Sequence, residues 1–334
     1  MSKVEKLNSL FSPVRIGGVR VGSRLVMPPM VCFGWAGEDG IVTDKHVAHY
    51  HARARGMGIV VVEAACVAAD GRLTPSQLGV WEDGQISGLA RIAQSCRAAG
   101  ARVFLQIHHA GERALPGLLE GSVEKLKQIE DCFAAAAHRA SIAGFDGVEL
   151  HGAHGYLLSQ LASPQKNTRA DEYGGSVEGR TLLACNVIRR IKLVEESGFA
   201  VGVRMGGNEP DYAGGIEVAK AYEEAGADFL HVSSGIGGGT PDPVPEGFPY
   251  NSIVYGASLI KQAVSVPVIA VNEIRTPERA DWLIANGHAD LVAIGRPVLN
   301  NPAYAADAIA NGGGFKCKSC KPCKWFERAD SCPQ

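Results

Sequence analysis

The sequence predicts an α/β chain closed into a (β/α)8 barrel, the TIM-barrel architecture. Three observations predict it. Eight short apolar runs alternate with longer segments whose apolar residues recur at helical spacing. The helical segments repeatedly stop at Ala-Gly or Asn-Gly just before the next run, as at Ala99-Gly100, Ala143-Gly144, Ala225-Gly226 and Asn286-Gly287. Glycine there takes the left-handed turn out of a helix. Polar or turn residues follow each run, so chemistry from eight strand ends would gather on one face.

The runs are residues 25–27, 59–62, 103–107, 147–150, 201–204, 229–232, 268–271 and 291–294. Each is short and largely apolar, the pattern of a parallel strand buried on both faces. Between them, segments such as 123–143, 177–194 and 216–225 carry helical spacing. A doubly wound open sheet is the alternative. It has fewer strands and a glycine fingerprint after the first, where this chain has Pro28-Pro29-Met30. The other exits are Glu63-Ala64, Gln106 with His108 and His109, then His151, His154 and Tyr156, then Arg204, Ser233-Ser234-Gly235, Asn272 and Gly295-Arg296. The expected division is a barrel over residues 1–312 and a Cys-rich tail over 313–334.

Apolar residues make 46% of the 334 and charged residues 20%, which supports a large core and argues against disorder. A net charge of -2 without a long basic block argues against nucleic acid as a partner. The N-terminus lacks the apolar run of a signal peptide, and the apolar stretches are too short to span a bilayer. A soluble, cytoplasmic protein with no membrane partner is expected; a homo-oligomer is compatible with the composition.

The stretch from Glu149 to Arg180 carries the chemistry. His151, His154 and Tyr156 stand together at the exit of the fourth run. Two imidazoles can donate to one oxygen atom, and a phenol beside them can supply a proton. Reduction of a double bond next to a carbonyl needs that set. His-x-x-His is also half of a metal site, although the familiar helical zinc spacing is His-x-x-x-His. Either imidazole could instead satisfy a backbone carbonyl.

The stretch resembles the old yellow enzyme family of flavin oxidoreductases. The matching residues are His151-Gly-Ala-His154-Gly-Tyr156, Ser163-Pro164, Asn167, Arg169, Asp171-Glu172-Tyr173-Gly174-Gly175-Ser176 and Arg180, and the likeness runs from about Phe11 to Pro302. It implies FMN as cofactor and NADH or NADPH as electron donor. By resemblance, Pro28, Pro29, Met30, Val31 and Ala64 line the flavin through their backbone. Gln106 would meet its pyrimidine ring, and Arg204 would stabilise the charge of the reduced form, as a permanently ionised side chain can. Taken without the family, Arg204 reads as a barrel salt bridge and Gln106 as a satisfied barrel glutamine. Gly295 and Arg296, after the last run, stand where barrels of this class often bind phosphate, and Asn272 joins them as a cofactor residue. A plain helix-start turn is the other reading. The Gly237–Gly239 stretch reads as a rim rather than a phosphate loop.

The chain also departs from the family. Val31 stands where short relatives often carry cysteine, and Phe33 replaces a tyrosine that some use on substrate oxygen; Phe33 is kept as a substrate contact with His151, His154 and Tyr156. Asn272-Glu273 replaces a frequent Gly-Gly, so Glu273 must point away or phosphate affinity falls. Residues 112–121 are shorter than the usual excursion and suggest an open pocket.

Nine cysteines include a terminal group, Cys317, Cys320, Cys323 and Cys332. In a reducing compartment a disulfide framework is not expected. The spacing fits a [4Fe-4S] cluster or a zinc ion. Two-domain relatives hold a cluster just after their barrel through a differently spaced quartet, and this chain stops where their second domain would begin. Idle or regulatory thiols are the alternative. The expected function is ene reduction: hydride from NAD(P)H passes through flavin to the β-carbon of an α,β-unsaturated carbonyl compound. Oxidative demethylation or amine oxidation feeding an iron–sulfur cluster is a second reading. A flavin-free aldolase or isomerase with Glu63 or Glu149 as base is a third.

Overall fold

The structure, a computed structural model, describes residues 7–195, 198–236, 243–312 and 317–332. The Gly237–Gly239 stretch lies outside the described residues. A hairpin of β1 (Val14–Ile16) and β2 (Val19–Val21) precedes the barrel strands. These are β3 (Leu25–Met27), β4 (Ile59–Cys66), β5 (Arg102–His108), β6 (Gly147–Gly152), β7 (Ala200–Gly206), β8 (Phe229–Ser233), β9 (Val268–Val271) and β10 (Leu291–Ala293). They pair in parallel in chain order, and β10 returns to β3 to close the barrel. Each predicted run falls on one strand, the last passing the end of β10 by one residue, Ile294. Several strands continue beyond the run at the carboxyl end, because there the inward positions turn polar while the ladder goes on.

The helices α1 (Asp44–Ala54), α2 (Ile86–Ala98), α3 (Val123–Ile142), α5 (Val177–Val194), α6 (Tyr212–Glu224), α7 (Ser252–Ala263) and α8 (Pro277–Ala285) pack outside. Ser122, Ser176, Asp211, Asn251 and Thr276 each accept a backbone N–H from the first turn of the helix they start, satisfying a donor that would otherwise lack a partner. Helix α6 starts at Tyr212, before the predicted 216, because the Asp211 cap outweighs the low propensity of Gly214 and Gly215. Short α4 (Leu157–Ala162), α9 (Arg296–Asn300) and α10 (Tyr304–Asn311) complete the set. No helix among the described residues is long and apolar enough to cross a membrane.

Side chains alternate along a strand, so every second residue enters the barrel. The lower interior is apolar: Val26, Ile59, Val61, Phe104, Phe229 and Ile269 pack there, with Ile16, Val19 and Val21 of the hairpin plugging the floor. Phe104 and Phe229 face each other at 5.4 Å. Burying one such ring stabilises the fold by about 1.5–3 kcal/mol. Gly202 leaves room for them, since a Cβ there would lie 2.3 Å from the Phe229 ring. The hairpin was not among the predicted runs. Its Val-Arg-Ile and Val-Arg-Val triplets alternate, but each is only three residues long.

Residues 317–332 fold against the barrel top. Trp325 is 3% exposed, beside Trp35 at 6.0 Å and His49 at 5.2 Å, and its Nε1 donates to the Val31 carbonyl at 3.0 Å.

Candidate active site

Two steps up from the apolar floor the inward positions become polar. Register sets Gln106 beside Glu149 on β5 and β6, and Glu149 beside Gly202 on β7. Gln106 Nε2 donates to Glu149 Oε1 at 2.8 Å, and His231 Nδ1 lies 2.8 Å from the other carboxylate oxygen. Next come His108, His151, Arg204 and Ser233. His108 and His151 oppose their Nδ1 atoms at 3.0 Å, His151 Nε2 lies 3.1 Å from His154 Nδ1, and His154 Nε2 lies 2.8 Å from Ser233 Oγ. A single direction of donation can run through this chain with every imidazole neutral. Burial favours that state: it pulls His108 down to about 3 and His154 to about 2, and His151 well below the ordinary 6.5.

His154 and Gly155 both have left-handed backbone, at φ 63° and 71°. For a histidine that path is strained. It folds the chain back so that the Tyr156 ring meets His108 edge-on at 4.6 Å and His151 at 5.0 Å. The Arg113 guanidinium lies over the Tyr156 ring at 4.7 Å and also donates to the His154 carbonyl at 3.2 Å. Burial raises the Tyr156 hydroxyl pKa, and Arg113 opposes the rise.

These groups open into a cavity of about 610 Å³, within the range of cofactor sites. Pro28, Pro29, Met30, Val31, Phe33, Ala64, Gln106, His151, His154, Tyr156, Arg204, Asn272, Gly295 and Arg296 all line it. The residues marked in the sequence for cofactor and substrate therefore share one cavity. Arg204 is 8% exposed and its Nε finds no partner among the described residues. Glu149 acts on Arg204 as a nearby opposite charge, and among the described residues no carboxylate forms a salt bridge with it. A buried donor left over in a cleft walled by backbone fits the pyrimidine edge of FMN.

Neither Glu63 nor Glu149 lines the cavity. Glu63 accepts from Cys32 N at 2.7 Å and Tyr50 Oη at 3.1 Å, and burial pushes its carboxyl up to about 7. A β-bulge between Val62 and Ala65 turns this part of β4. The flavin-free reading thus loses both of its bases.

At the far end of the cavity, Glu273 Oε1 accepts from Arg275 Nη2 at 3.1 Å and from Arg296 Nη2 at 3.3 Å. Glu273 does not point away from the phosphate candidate; it pairs with it. In the tail, Cys320, Lys321, Pro322, Cys323 and Phe326 reach the same cavity. Burial first, then the neighbouring Cys317, Cys323 and Cys320 thiols, push the Cys332 thiol up. The four sulfurs are thus neighbours, yet among the described residues no group of three or more ligand-type side chains is arranged to hold a metal.

Sequence reasoning placed His108 and Ser233 at strand exits without giving them a role, and left out Arg113. The first two were legible: each sits at a strand end, an even number of residues beyond an inward Gln106 or His231. Arg113 lies on a short turn, Gly111–Arg113, with no period to read.

The model of the NADH:flavin oxidoreductase / NADH oxidase family matches residues 9–120 and 119–311. A curated NADH oxidase of Thermoanaerobacter brockii is 38% identical over 329 residues, covering 90% of this chain and 50% of that protein. An NADPH dehydrogenase of Listeria monocytogenes serotype 4a (strain HCC23) is 34% identical over 332 residues, covering 92% of this chain and 96% of that one. The chain thus spans half of the first relative and nearly all of the second. Among solved structures, the old yellow enzyme homologue of Zymomonas mobilis superposes with a TM-score of 0.79 at 25% identity, over 93% of this chain and 95% of that one. The chain belongs to the NADH:flavin oxidoreductase / NADH oxidase family, enzymes that use FMN with a reduced nicotinamide.

Proposed function

We propose that this protein is an ene-reductase that takes electrons from NAD(P)H and reduces the C=C bond of α,β-unsaturated carbonyl compounds. The observation that carries this is the juxtaposition of Tyr156 with the neutral His108–His151–His154–Ser233 chain in the cavity that Arg204 and Gln106 also line. The relatives' names state the electron donor only, so the acceptor is read from this chain's own side chains. Bound FMN supplies hydride exchange between the nicotinamide and the β-carbon. Arg204 would stabilise the charge of the reduced cofactor, and Gln106, fixed by Glu149, would present its amide to it. His151 and His154 hold the substrate carbonyl oxygen, where negative charge develops. Their N–H groups already have partners, so an oxygen that takes both displaces the His151–His154 and His154–Ser233 contacts, and the groups set free must be satisfied by ligand or solvent. Tyr156 gives its proton to the α-carbon. Phe33 supplies apolar wall.

The test is to reduce the protein anaerobically with NADH or NADPH, mix it with a panel of enones, and identify the saturated ketone. Failure of every enone to reoxidise the reduced protein faster than buffer does would sink the reading. Replacing His151 and His154 together by Asn should cut turnover on the order of a hundredfold or more and weaken phenolic ligands, with FMN retained. Unchanged phenol affinity would remove the pair from the oxygen site.

We also propose Cys317, Cys320, Cys323 and Cys332 as ligands of one metal centre, either [4Fe-4S] or zinc. Their clustering supports it, and the sulfurs would have to draw together to bind. Demethylase or amine-oxidase chemistry would need that centre to be an iron–sulfur cluster that accepts electrons. Protein purified without oxygen should contain iron with sulfide, or zinc. If all are absent while four thiols titrate as free, the tail is not a metal site.

A further inference from the structure

The loop after β9 carries a feature that the reaction does not use. Asn272 and Glu273 take left-handed backbone, at φ 110° and 52°, a path that favours glycine. The old yellow enzyme likeness expects Gly-Gly at this place. The chain keeps the path and puts a carboxylate on it. That carboxylate is engaged: Glu273 Oε1 takes Arg275 Nη2 at 3.1 Å and Arg296 Nη2 at 3.3 Å. Arg275 is tied on its other side, with Nη1 donating to Ser319 Oγ of the tail at 2.6 Å. Glu273, Arg275, Arg296 and Lys321 all line the cavity. Two cations therefore meet one anion in this wall of the cavity, and the anion already occupies both.

We propose that Glu273 is a specificity-determining residue of the cofactor site, an internal counter-anion that occupies Arg296 and Arg275 and reduces the advantage of a phosphate-bearing flavin over a phosphate-free one. The proposal rests on the reading that Arg296 faces the cofactor phosphate. Two effects act in the same direction. A phosphate reaching Arg296 meets a guanidinium whose charge is already shared, and it meets the carboxylate itself. Hydrogen bonds from Arg296 and Arg275 hold the Glu273 carboxyl below the ordinary carboxylate range, so it stays anionic at any pH where the enzyme works. The groups are partly open to solvent, with side-chain exposures of 54% for Glu273 and 31% and 35% for the two arginines. Solvent screens such pairs, which sets the expected effect at roughly two- to fivefold in affinity.

The experiment compares FMN with riboflavin on the full-length protein. Flavin is released by dilution, and rebinding is followed by flavin fluorescence. Glu273→Gln keeps the shape and removes the charge. It should tighten FMN roughly two- to fivefold and leave riboflavin unchanged. If FMN affinity stays the same or weakens, or if both flavins shift together, Glu273 is not a counter-anion. Arg296→Gln is run in parallel. It should weaken FMN and spare riboflavin. If it moves neither flavin, or both equally, the phosphate is not at Arg296 and the proposal falls with that reading. If Arg296→Gln behaves as expected and Glu273→Gln does nothing, the proposal falls alone. Raised salt should lower FMN affinity less in Arg296→Gln than in the parent, because a phosphate–guanidinium contact is the one screened.

Discussion

Tyr156→Phe is expected to slow enone reduction by on the order of 10²–10⁴, while reduction of the enzyme by NAD(P)H and the affinity for FMN hold. The substitution removes one oxygen and its proton. The ring contacts survive: His108 edge-on at 4.6 Å, His151 at 5.0 Å and Arg113 over the face at 4.7 Å. Burial raises the Tyr156 pKa above the ordinary 10.0, so the phenol holds its proton at neutral pH and can give it. Only the half-reaction that forms a C–H bond at the α-carbon uses that proton. Rapid mixing separates the halves, first with NAD(P)H and then with an enone. Equal slowing of both would mean that Tyr156 shapes the cavity and donates nothing.

The barrel was legible because its strands are buried on both faces, which leaves an apolar run that needs no period to find. The candidate site was legible in part. The end of each run marks the carboxyl face, and Pro28, Gln106, His151, Arg204, Asn272 and Gly295 stand there and line one cavity. Depth was harder to read. Counting back by two from His108, His151 and Ser233 reaches Gln106, Glu149 and His231, the polar layer beneath the cavity. Counting back again reaches the Phe104 and Phe229 floor. Glu149 looked like a free base because nothing local marks its partners, which come from strands 43 and 82 residues away. Glu63 is similar, held by Tyr50 of α1 and the Cys32 backbone.

The tail was legible as a cysteine spacing and illegible as a docked element. Its anchor is Trp325, whose N–H reaches the Val31 carbonyl 294 positions earlier. No periodicity could signal that contact. It also explains how residues after the barrel come to line the same cavity as the flavin wall. Glu273 reads from sequence as a carboxylate near a phosphate candidate, but its direction depends on two arginines, Arg275 two residues on in the same loop and Arg296 after the next strand.

Acid should destabilise the protein steeply between about pH 6.5 and pH 5, and buried histidines are the cause. Burial pulls His46 and His109 down to about 4, His108 to about 3 and His154 to about 2, all from 6.5. The sign follows from proton uptake. A histidine whose folded pKa lies below its unfolded value is protonated first in the unfolded chain. Its contribution is present above 6.5 and is lost as pH falls toward the folded pKa. At about pH 5 each of the four costs roughly 2 kcal/mol. Glu63 works in the opposite direction. Its folded pKa of about 7 lies above the ordinary 4.5, so lowering the pH from about 7 to 5 stabilises the fold by roughly 2 kcal/mol. The histidines outweigh the carboxyl, since His49, His151 and His231 are pulled down by burial as well, and the net effect is a loss of several kcal/mol from the roughly 5–15 kcal/mol that holds a typical protein folded. Urea unfolding at several pH values, with flavin in fixed excess, reads the slope directly. His109→Asn keeps an acceptor for the Gly111 N–H that His109 Nδ1 now takes at 3.0 Å and removes one titrating group. The variant should lose about 2 kcal/mol less than the parent between pH 7 and pH 5. Parallel curves for parent and variant would show that His109 takes up a proton in the folded state as readily as in the unfolded one, and a parent equally stable at both pH values would remove the buried histidines as the source of acid lability.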